Sequence, residues 1–217
     1  MRLSRRIAAA TAATVAAGSV AFALPASASS AAAAKPLGNK SLAKVLLSDG
    51  NRFDANKGDF DVVTELVLST LKKYPKSDVG VLTDGSVKLT AFVPTDAAFG
   101  RLVTALTGKA PKTERATYRA VWGLGAKTVQ NVLLYHVVPG ATITSAQAVK
   151  ADGATLDTAL SGATFTVKVR TSPTSITLVD NAPARPNPRV ILSKVDINKG
   201  NKQIAHGINR VLLPVAL

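Results

Sequence analysis

The spacing of the apolar residues changes midway along this chain of 217 residues. In the first half, apolar residues recur every three to four positions, which is typical of helices that bury one face. In the second half they alternate with polar residues, which is typical of strands with one face in water. Helices gathered early and antiparallel strands gathered late predict an α+β fold, with the helices packed at one side of the strands.

Three helices are predicted in the first half. The first is capped by Asp59 and ends before Pro75, the second begins at Thr95 and ends at Gly108, and the third covers residues 126–134. Aspartate and threonine accept hydrogen bonds from the unpaired amides at a helix start, and glycine adopts the left-handed conformation that closes a helix.

Four strands are predicted in the second half, over residues 165–170, 176–178, 190–197 and 204–213. In the first two, apolar residues occupy every second position, and a Ser-Pro turn joins them. The third follows a proline-rich break, and the fourth ends the folded part of the chain.

Residues 1–28 have the features of a secretory signal peptide. Arg2, Arg5 and Arg6 give a basic start, an uncharged alanine-rich stretch follows, and an Ala-Ser-Ala sequence ending at Ala28 offers a cleavage site. We therefore expect a secreted protein, extracellular or associated with the cell wall, with no transmembrane span after cleavage. A retained anchor helix is the alternative, which the small number of strongly apolar residues disfavours. The export route, general or twin-arginine, stays open.

The remaining chain is predicted to form one domain. Residues 29–40 are rich in alanine and serine and predict a flexible leader. Residues 41–217 contain no repeat and no break in composition, so they are interpreted as a single domain and the protein as a monomer. Since the chain has no cysteine, disulfides and thiolate metal sites are excluded, and stability must come from packing.

The chain is strongly basic, with 27 Lys and Arg residues against 13 Asp and Glu residues and a formal net charge of +14. Removal of residues 1–28 takes away three arginines and no acid, which leaves +11. Such a charge favours anionic partners such as wall polymers or acidic glycans, but it does not constrain the fold.

Three segments carry a resemblance to a known family. They are residues 89–99 (LTAFVPTDAAF), 131–140 (NVLLYHVVPG) and 203–214 (QIAHGINRVLLP). Taken together, in this order and at this separation, they resemble the conserved boxes of the fasciclin domain. The chain is therefore identified as a single-domain, bacterial-type member of that family. It departs from the family pattern at Gly207, where a β-branched residue is usual, and at Asn209, where aspartate is common.

The resemblance implies both a fold and a function. The implied fold is a fasciclin-like wedge or sandwich of antiparallel strands with several helices packed at one side. The implied function is a non-catalytic cell-adhesion or binding module at the cell envelope or extracellular matrix, with a cell-surface or matrix protein as its partner. The alternative is a basic surface that binds an anionic wall or glycan polymer, which added salt would weaken.

Tyr135 and His136 have two interpretations. The resemblance implicates their motif in receptor binding by animal relatives, which makes both residues binding candidates. On a strand, however, His136 would share one apolar face with Leu134 and Val138, and a strand that is apolar on both faces is central. His206 likewise lies among apolar neighbours, and such histidines are usually hydrogen-bonded core groups.

Lys112, Arg115 and Arg119 are further binding candidates. They are spaced three or four residues apart and would form a basic stripe on one face of a helix. Such a stripe is either a platform for an anionic partner or an ordinary solvated face. Because aromatic residues are not interleaved with the basic ones, no specific nucleic-acid binding is predicted.

No enzyme, cofactor or metal site is predicted. The only two histidines are far apart in the sequence, and the carboxylates do not follow the spacing of metal ligands. A nucleophile elbow of the G-x-S-x-G kind and a glycine-rich phosphate loop are both missing from the sequence. A hydrolase whose Ser, His and Asp meet only in space is the remaining enzymatic alternative.

Overall fold

The structure is a computed structural model that describes residues 35–50 and 53–215. The predicted signal peptide lies outside these residues, as does the leader up to residue 34. The α+β class is confirmed, because helices and two three-stranded sheets make up the described domain.

The helices are concentrated in the first two thirds of the chain. The α-helices, numbered in chain order, are α1 (Leu42–Leu46), α2 (Asp61–Lys73), α3 (Asp96–Thr107), α4 (Glu114–Trp122), α5 (Ala126–Tyr135) and α6 (Ser145–Ala148). Short 3-10 helices cover Leu47–Asp49, Asp78–Thr83 and Leu192–Lys194. Among the described residues, no helix combines the length and the apolar character needed to cross a membrane.

The strands form two separate sheets. They are β1 (Leu89–Pro94), β2 (Val137–Pro139), β3 (Thr155–Asp157), β4 (Thr164–Thr171), β5 (Thr174–Val179) and β6 (Gln203–Ile208). The first sheet has the order β2-β1-β6 and the second the order β3-β4-β5. The second sheet and the β1–β2 pair are antiparallel, as predicted.

The pairing of β1 with β6 is parallel, which differs from the prediction of antiparallel strands only. Parallel neighbours need a long connection, and here most of the domain lies between the two strands. Every residue of both strands is buried, which is the usual environment of parallel pairs.

The apolar core has two parts, one on each face of the first sheet. Ala91 and Val93 of β1 face a cluster formed mainly by α1 to α5. Phe92, on the opposite face, contacts the second sheet, with the Phe165 ring edge-on at 5.4 Å between centroids. The first sheet is thus sandwiched between the helices and the second sheet.

The predicted helices are confirmed, with one correction at a cap. Helix α3 begins after Thr95, whose hydroxyl accepts a hydrogen bond from Ala98 N at 3.3 Å, and ends at Gly108 with φ of 72°. Helix α2 begins two residues later than Asp59, and Asp59 does not cap it. The Asp96 carboxylate takes this role instead, because it accepts hydrogen bonds from the first two amides of α2.

Of the predicted strands, those corresponding to β4 and β5 are confirmed. The strand predicted over residues 190–197 is wrong, since this segment makes isolated bridges and a 3-10 turn. The final strand stops at Ile208 rather than continuing to residue 213. The apolar pattern beyond that point reflects burial of an irregular segment, because Val211, Leu212 and Leu213 are all buried.

The folded domain begins slightly before the boundary predicted at residue 41. Gly38 forms a bridge with Asn201, and Lys40 N donates a hydrogen bond to the Asn201 side chain at 3.0 Å. Asn198 in turn donates to the carbonyl of Lys40 at 2.8 Å. The last residues of the predicted leader are therefore attached to the domain.

Gly207, one of the departures from the family pattern, has a local explanation. A Cβ atom at this position would lie 2.8 Å from the Cβ atom of Lys194, in the 3-10 turn that crosses β6. A β-branched residue would therefore push this turn away from the strand, so the close approach of Lys194 requires glycine.

Gln203 connects three parts of the fold and generates a prediction. Its side chain, which is fully buried, accepts a hydrogen bond from Leu42 N and donates to the carbonyls of Val81 and Asp84, each at 2.8 Å. Replacement by Met leaves these backbone groups unpaired, so we expect the free energy of unfolding to fall by about 3 kcal/mol in urea titrations.

The matched control for this prediction is Gln147→Met. Gln147 is exposed and serves only the short helix α6, where its side chain completes a capping box. Loss of such a cap costs about 1 kcal/mol. Equal losses in the two variants would contradict the bridging role of Gln203.

Candidate functional site

The three boxes that carry the family resemblance meet in one sheet. Residues 89–99 contain β1 and the start of α3, residues 131–140 contain the end of α5 and β2, and residues 203–214 contain β6. These three strands, β1, β2 and β6, make up the first sheet. The motif residues are therefore first of all the elements that build this sheet.

Tyr135 lies in the core between the two sheets. Its side chain is 0% exposed, its hydroxyl donates a hydrogen bond to the carbonyl of Thr164 at 2.7 Å, and its ring lies edge-on to Phe165. Burial, followed by the charge of Asp180, raises the pKa of Tyr135 to about 12. The hydroxyl therefore remains protonated and acts as a structural donor.

His136 ties the end of α5 to the C-terminal segment. The ring Nδ1 lies 2.6 Å from the carbonyl of Val132, and Leu212 N donates to Nε2 at 2.9 Å. This arrangement requires a neutral ring that carries its proton on Nδ1. Burial lowers the pKa of His136 to about 4, so the neutral form is kept at physiological pH.

The strand predicted for this motif is wrong at both residues. Tyr135 is the last residue of α5, and His136 caps that helix in a helical conformation. Strand β2 begins only at Val137 and lies at the edge of its sheet rather than at its centre. Since both side chains are buried and hydrogen-bonded, they offer no surface to a partner in this structure.

A wide groove lies between α3 and α4. It has a volume of about 850 Å³ and is bounded by both helices, the segment that joins them, residues 53–57 and Arg210. Five basic side chains line it: Lys57, Arg101, Lys112, Arg115 and Arg210. All of these except Arg210, which is half-buried, are exposed, so the groove has a basic rim.

The predicted basic stripe is only partly formed. Lys112 precedes the cap of α4, whereas Arg115 and Arg119 lie on that helix, and all three are exposed. Lys112 and Arg115 line the groove, but Arg119 does not. The Arg115 guanidinium lies over the ring of Phe53, 5.3 Å from its centroid, which fixes its position at the rim.

Two buried carboxyl groups, those of Asp96 and Glu114, line the floor of the groove. One carboxylate oxygen each from Asp59, Asp96 and Glu114 lies within 4.8 Å of the other two. Asp96 and Glu114 are only 3% and 5% exposed and are the first residues of α3 and α4. Asp96 also caps α2, so the starts of three helices converge here, and their partial positive charges stabilise carboxylates.

Two of the three carboxyl groups of Asp59, Asp96 and Glu114, named here the acidic cluster, have raised pKa values. Burial raises the pKa of Asp96 far above its usual range, and the adjacent carboxyl of Asp59 and the charge of Glu114 raise it further. Burial also raises the pKa of Glu114. The energetic cost of holding negative charge is therefore concentrated at this point of a basic protein.

The acidic cluster is absent from the sequence-based prediction because its members are distant in the sequence. The available signal was that Asp96 and Glu114 each follow a threonine at a predicted or actual helix start. A first-turn acid is ordinarily explained by the helix dipole alone. Only the tertiary packing of α2, α3 and α4 brings the carboxylates together.

The histidines give no support to the hydrolase alternative. His206 Nε2 lies 2.8 Å from the carbonyl of Ile143, and its Nδ1 accepts a hydrogen bond from Asp196 N. The nearby Ser145 hydroxyl donates to the Asp196 carboxylate and not to the imidazole. Because His136 is engaged in the same way, neither imidazole of the chain is placed to take a proton from a serine.

Comparison with known proteins identifies the family. The fasciclin domain matches residues 67–214, which is more than half of the chain and includes the three boxes. The chain belongs to the fasciclin family. Fasciclin domains are associated with cell adhesion and are generally non-catalytic binding modules.

One solved structure with a similar chain is the FAS1 domain pair of the insect cell adhesion molecule fasciclin I. It is 16% identical, and the alignment covers 70% of this chain and 43% of that chain with a TM-score of 0.43. The chain thus spans less than half the length of that two-domain structure. No curated protein matches the chain.

The buried neutral ring of His136 predicts a specific pH dependence. The unfolded chain binds this proton near the ordinary pKa of 6.5, and the folded chain does so only near pH 4. The contribution of His136 to stability is therefore complete above pH 6.5, falls by about 3 kcal/mol as the pH falls to 4, and does not fall further below.

Two measurements check this prediction. Urea titrations between pH 4 and 7 should show a shallower pH dependence for His136→Gln than for the unsubstituted protein. NMR of the imidazole nitrogens should show a neutral ring protonated on Nδ1 down to about pH 5. A ring that titrates near pH 6.5 in the folded protein would contradict the buried role.

Proposed function

We propose that this protein is an exported, non-catalytic adhesion module of the fasciclin type that acts at the cell envelope or extracellular matrix. Its binding surface is the basic rim of the groove between α3 and α4. The partner is a cell-surface or matrix protein with an acidic face, or an anionic wall or glycan polymer. The protein acts as a monomer.

The observation that carries this proposal is the combination of shape and charge at the groove. Four exposed cations, Lys57, Arg101, Lys112 and Arg115, surround a concave surface of about 850 Å³. Charged groups around a concave surface steer an oppositely charged partner and fix its orientation. We favour these cations over Tyr135 and His136 as the binding residues, because the side chains of Tyr135 and His136 are both buried.

Two features support the remaining parts of the proposal. The basic, alanine-rich segment at residues 1–28 supports export, since its features are those of a signal peptide. The engagement of both imidazoles in backbone hydrogen bonds supports a function without turnover.

A second candidate function is diffuse binding of polyanions by the whole basic surface. This is favoured by cations that lie away from the groove, such as Lys168 and Arg170, which are exposed on β4 of the second sheet. In this case affinity would depend on the net charge, and any two cations would contribute equally.

We expect Lys112→Gln together with Arg115→Gln to weaken retention on a cell-wall preparation and on immobilised heparin by at least roughly fivefold. The reason is that each lost rim contact costs on the order of 0.5–1 kcal/mol. Retention of the purified protein should be measured at low salt and at physiological salt, because diffuse electrostatic binding falls steeply with ionic strength.

The matched control is Lys168→Gln together with Arg170→Gln, which removes the same two residue types from β4. We expect this variant to bind as the unsubstituted protein does at physiological salt. Equal weakening of the two variants, with binding abolished by salt, would replace the groove with diffuse polyanion binding. Retention that no substitution and no salt concentration changes would contradict both candidate functions.

A further inference from the structure

The acidic cluster contains carboxylate oxygens that the described part of the chain does not satisfy. Glu114 Oε1 and Asp59 Oδ1 are both buried and have no hydrogen-bond partner among the described residues. The other oxygen of Glu114, Oε2, accepts a hydrogen bond from Asp54 N at 2.7 Å, which holds the side chain in place. One oxygen of Glu114 is thus anchored while the other is buried inside the cluster.

Unsatisfied buried carboxylate oxygens are costly, and adjacent carboxylates repel one another. Among the described residues, no Lys or Arg nitrogen forms an ion pair with Asp59, Asp96 or Glu114. Lys57 is near enough to influence Glu114 electrostatically, but as a weak contribution compared with burial. The helix starts compensate part of the charge, and a cation in the cluster would compensate the rest.

The geometry and chemistry of the cluster match a hard divalent cation. All the ligands are carboxylate oxygens, which calcium and magnesium prefer, and histidine is absent from the cluster. Oxygens within 4.8 Å of one another fit around calcium, since each calcium–oxygen bond is about 2.3–2.6 Å long. Asp96 and Glu114 also line the open groove, from which water can complete the coordination.

We infer that Asp59, Asp96 and Glu114 form a calcium site at the floor of the groove. The inference does not depend on the proposed adhesion function, because it concerns the floor of the groove and not its basic rim. Calcium is favoured over magnesium because it accepts irregular arrangements of ligands, whereas magnesium requires near-ideal octahedral geometry. Magnesium and manganese are therefore expected to bind more weakly.

Calcium titration of the purified, metal-stripped protein tests the inference directly. We expect a single saturable heat in isothermal titration calorimetry, with a Kd on the order of 10⁻⁴–10⁻³ M, which is the weak end of the range for protein calcium sites. Calcium in excess should also raise the midpoint of thermal unfolding by roughly 2–4 °C relative to EDTA.

Two substitutions that preserve shape remove a ligand charge. Glu114→Gln and Asp59→Asn should each weaken calcium binding at least tenfold, while Asp157→Asn, which changes an exposed carboxylate on β3, should leave it unchanged. In EDTA both cluster variants should unfold at the same temperature as the unsubstituted protein or higher, because repulsion is relieved. In excess calcium, both cluster variants should unfold at a lower temperature than the unsubstituted protein.

The competing arrangement is a proton shared between Asp59 and Asp96. It predicts variants that are equally or more stable than the unsubstituted protein both with and without calcium, and this result would overturn the inference. Absence of a saturable heat for the folded protein up to about 10 mM calcium, tenfold above the expected Kd, would do the same. If Glu114→Gln does not fold, the calcium affinity and the unfolding temperature of Asp59→Asn, compared with those of the unsubstituted protein, test the inference.

Discussion

The parallel pairing of β1 with β6 is the constraint on which the rest of this domain depends. It joins residues 89–94 to residues 203–208, so most of the domain lies in the connection between the two strands. Both strands are buried throughout, and their polar side chains must therefore find partners inside the protein. Gln203 and His206 do so by hydrogen bonding to backbone groups of other elements. These bonds attach the surrounding helices and loops to the first sheet.

The sequence predicts those features of the fold that have a local cause. The helix from Thr95 to Gly108 is found as predicted because a hydroxyl cap and a left-handed glycine determine its ends within a few residues. The strand predicted for the Tyr-His segment is wrong because its apolar residues fit both the helical and the strand period, and packing against two core clusters favours the helix. The direction of β6 relative to β1 has no local signal, since parallel and antiparallel partners present the same apolar pattern.

The candidate site shows the same limit in electrostatic terms. The exposure of cations such as Lys112 and Arg115 can be predicted from the sequence, because a solvated side chain does not depend on contacts with other parts of the fold. The groove that they border, and the carboxylates of Asp59 and Glu114 beneath them, depend on which helices pack together. A strongly positive total charge therefore conceals a local concentration of negative charge, and composition alone describes neither.

Asp96 differs from the other two carboxylates of the acidic cluster in one respect. It accepts hydrogen bonds from the first two amides of α2, so it belongs to the framework as well as to the cluster. Asp59 does not cap a helix, and Glu114 bonds only one loop amide among the described residues. Substitution of Asp59 or Glu114 would therefore change the acidic cluster without removing the cap of α2, so the same architecture does not require the same charge at this point.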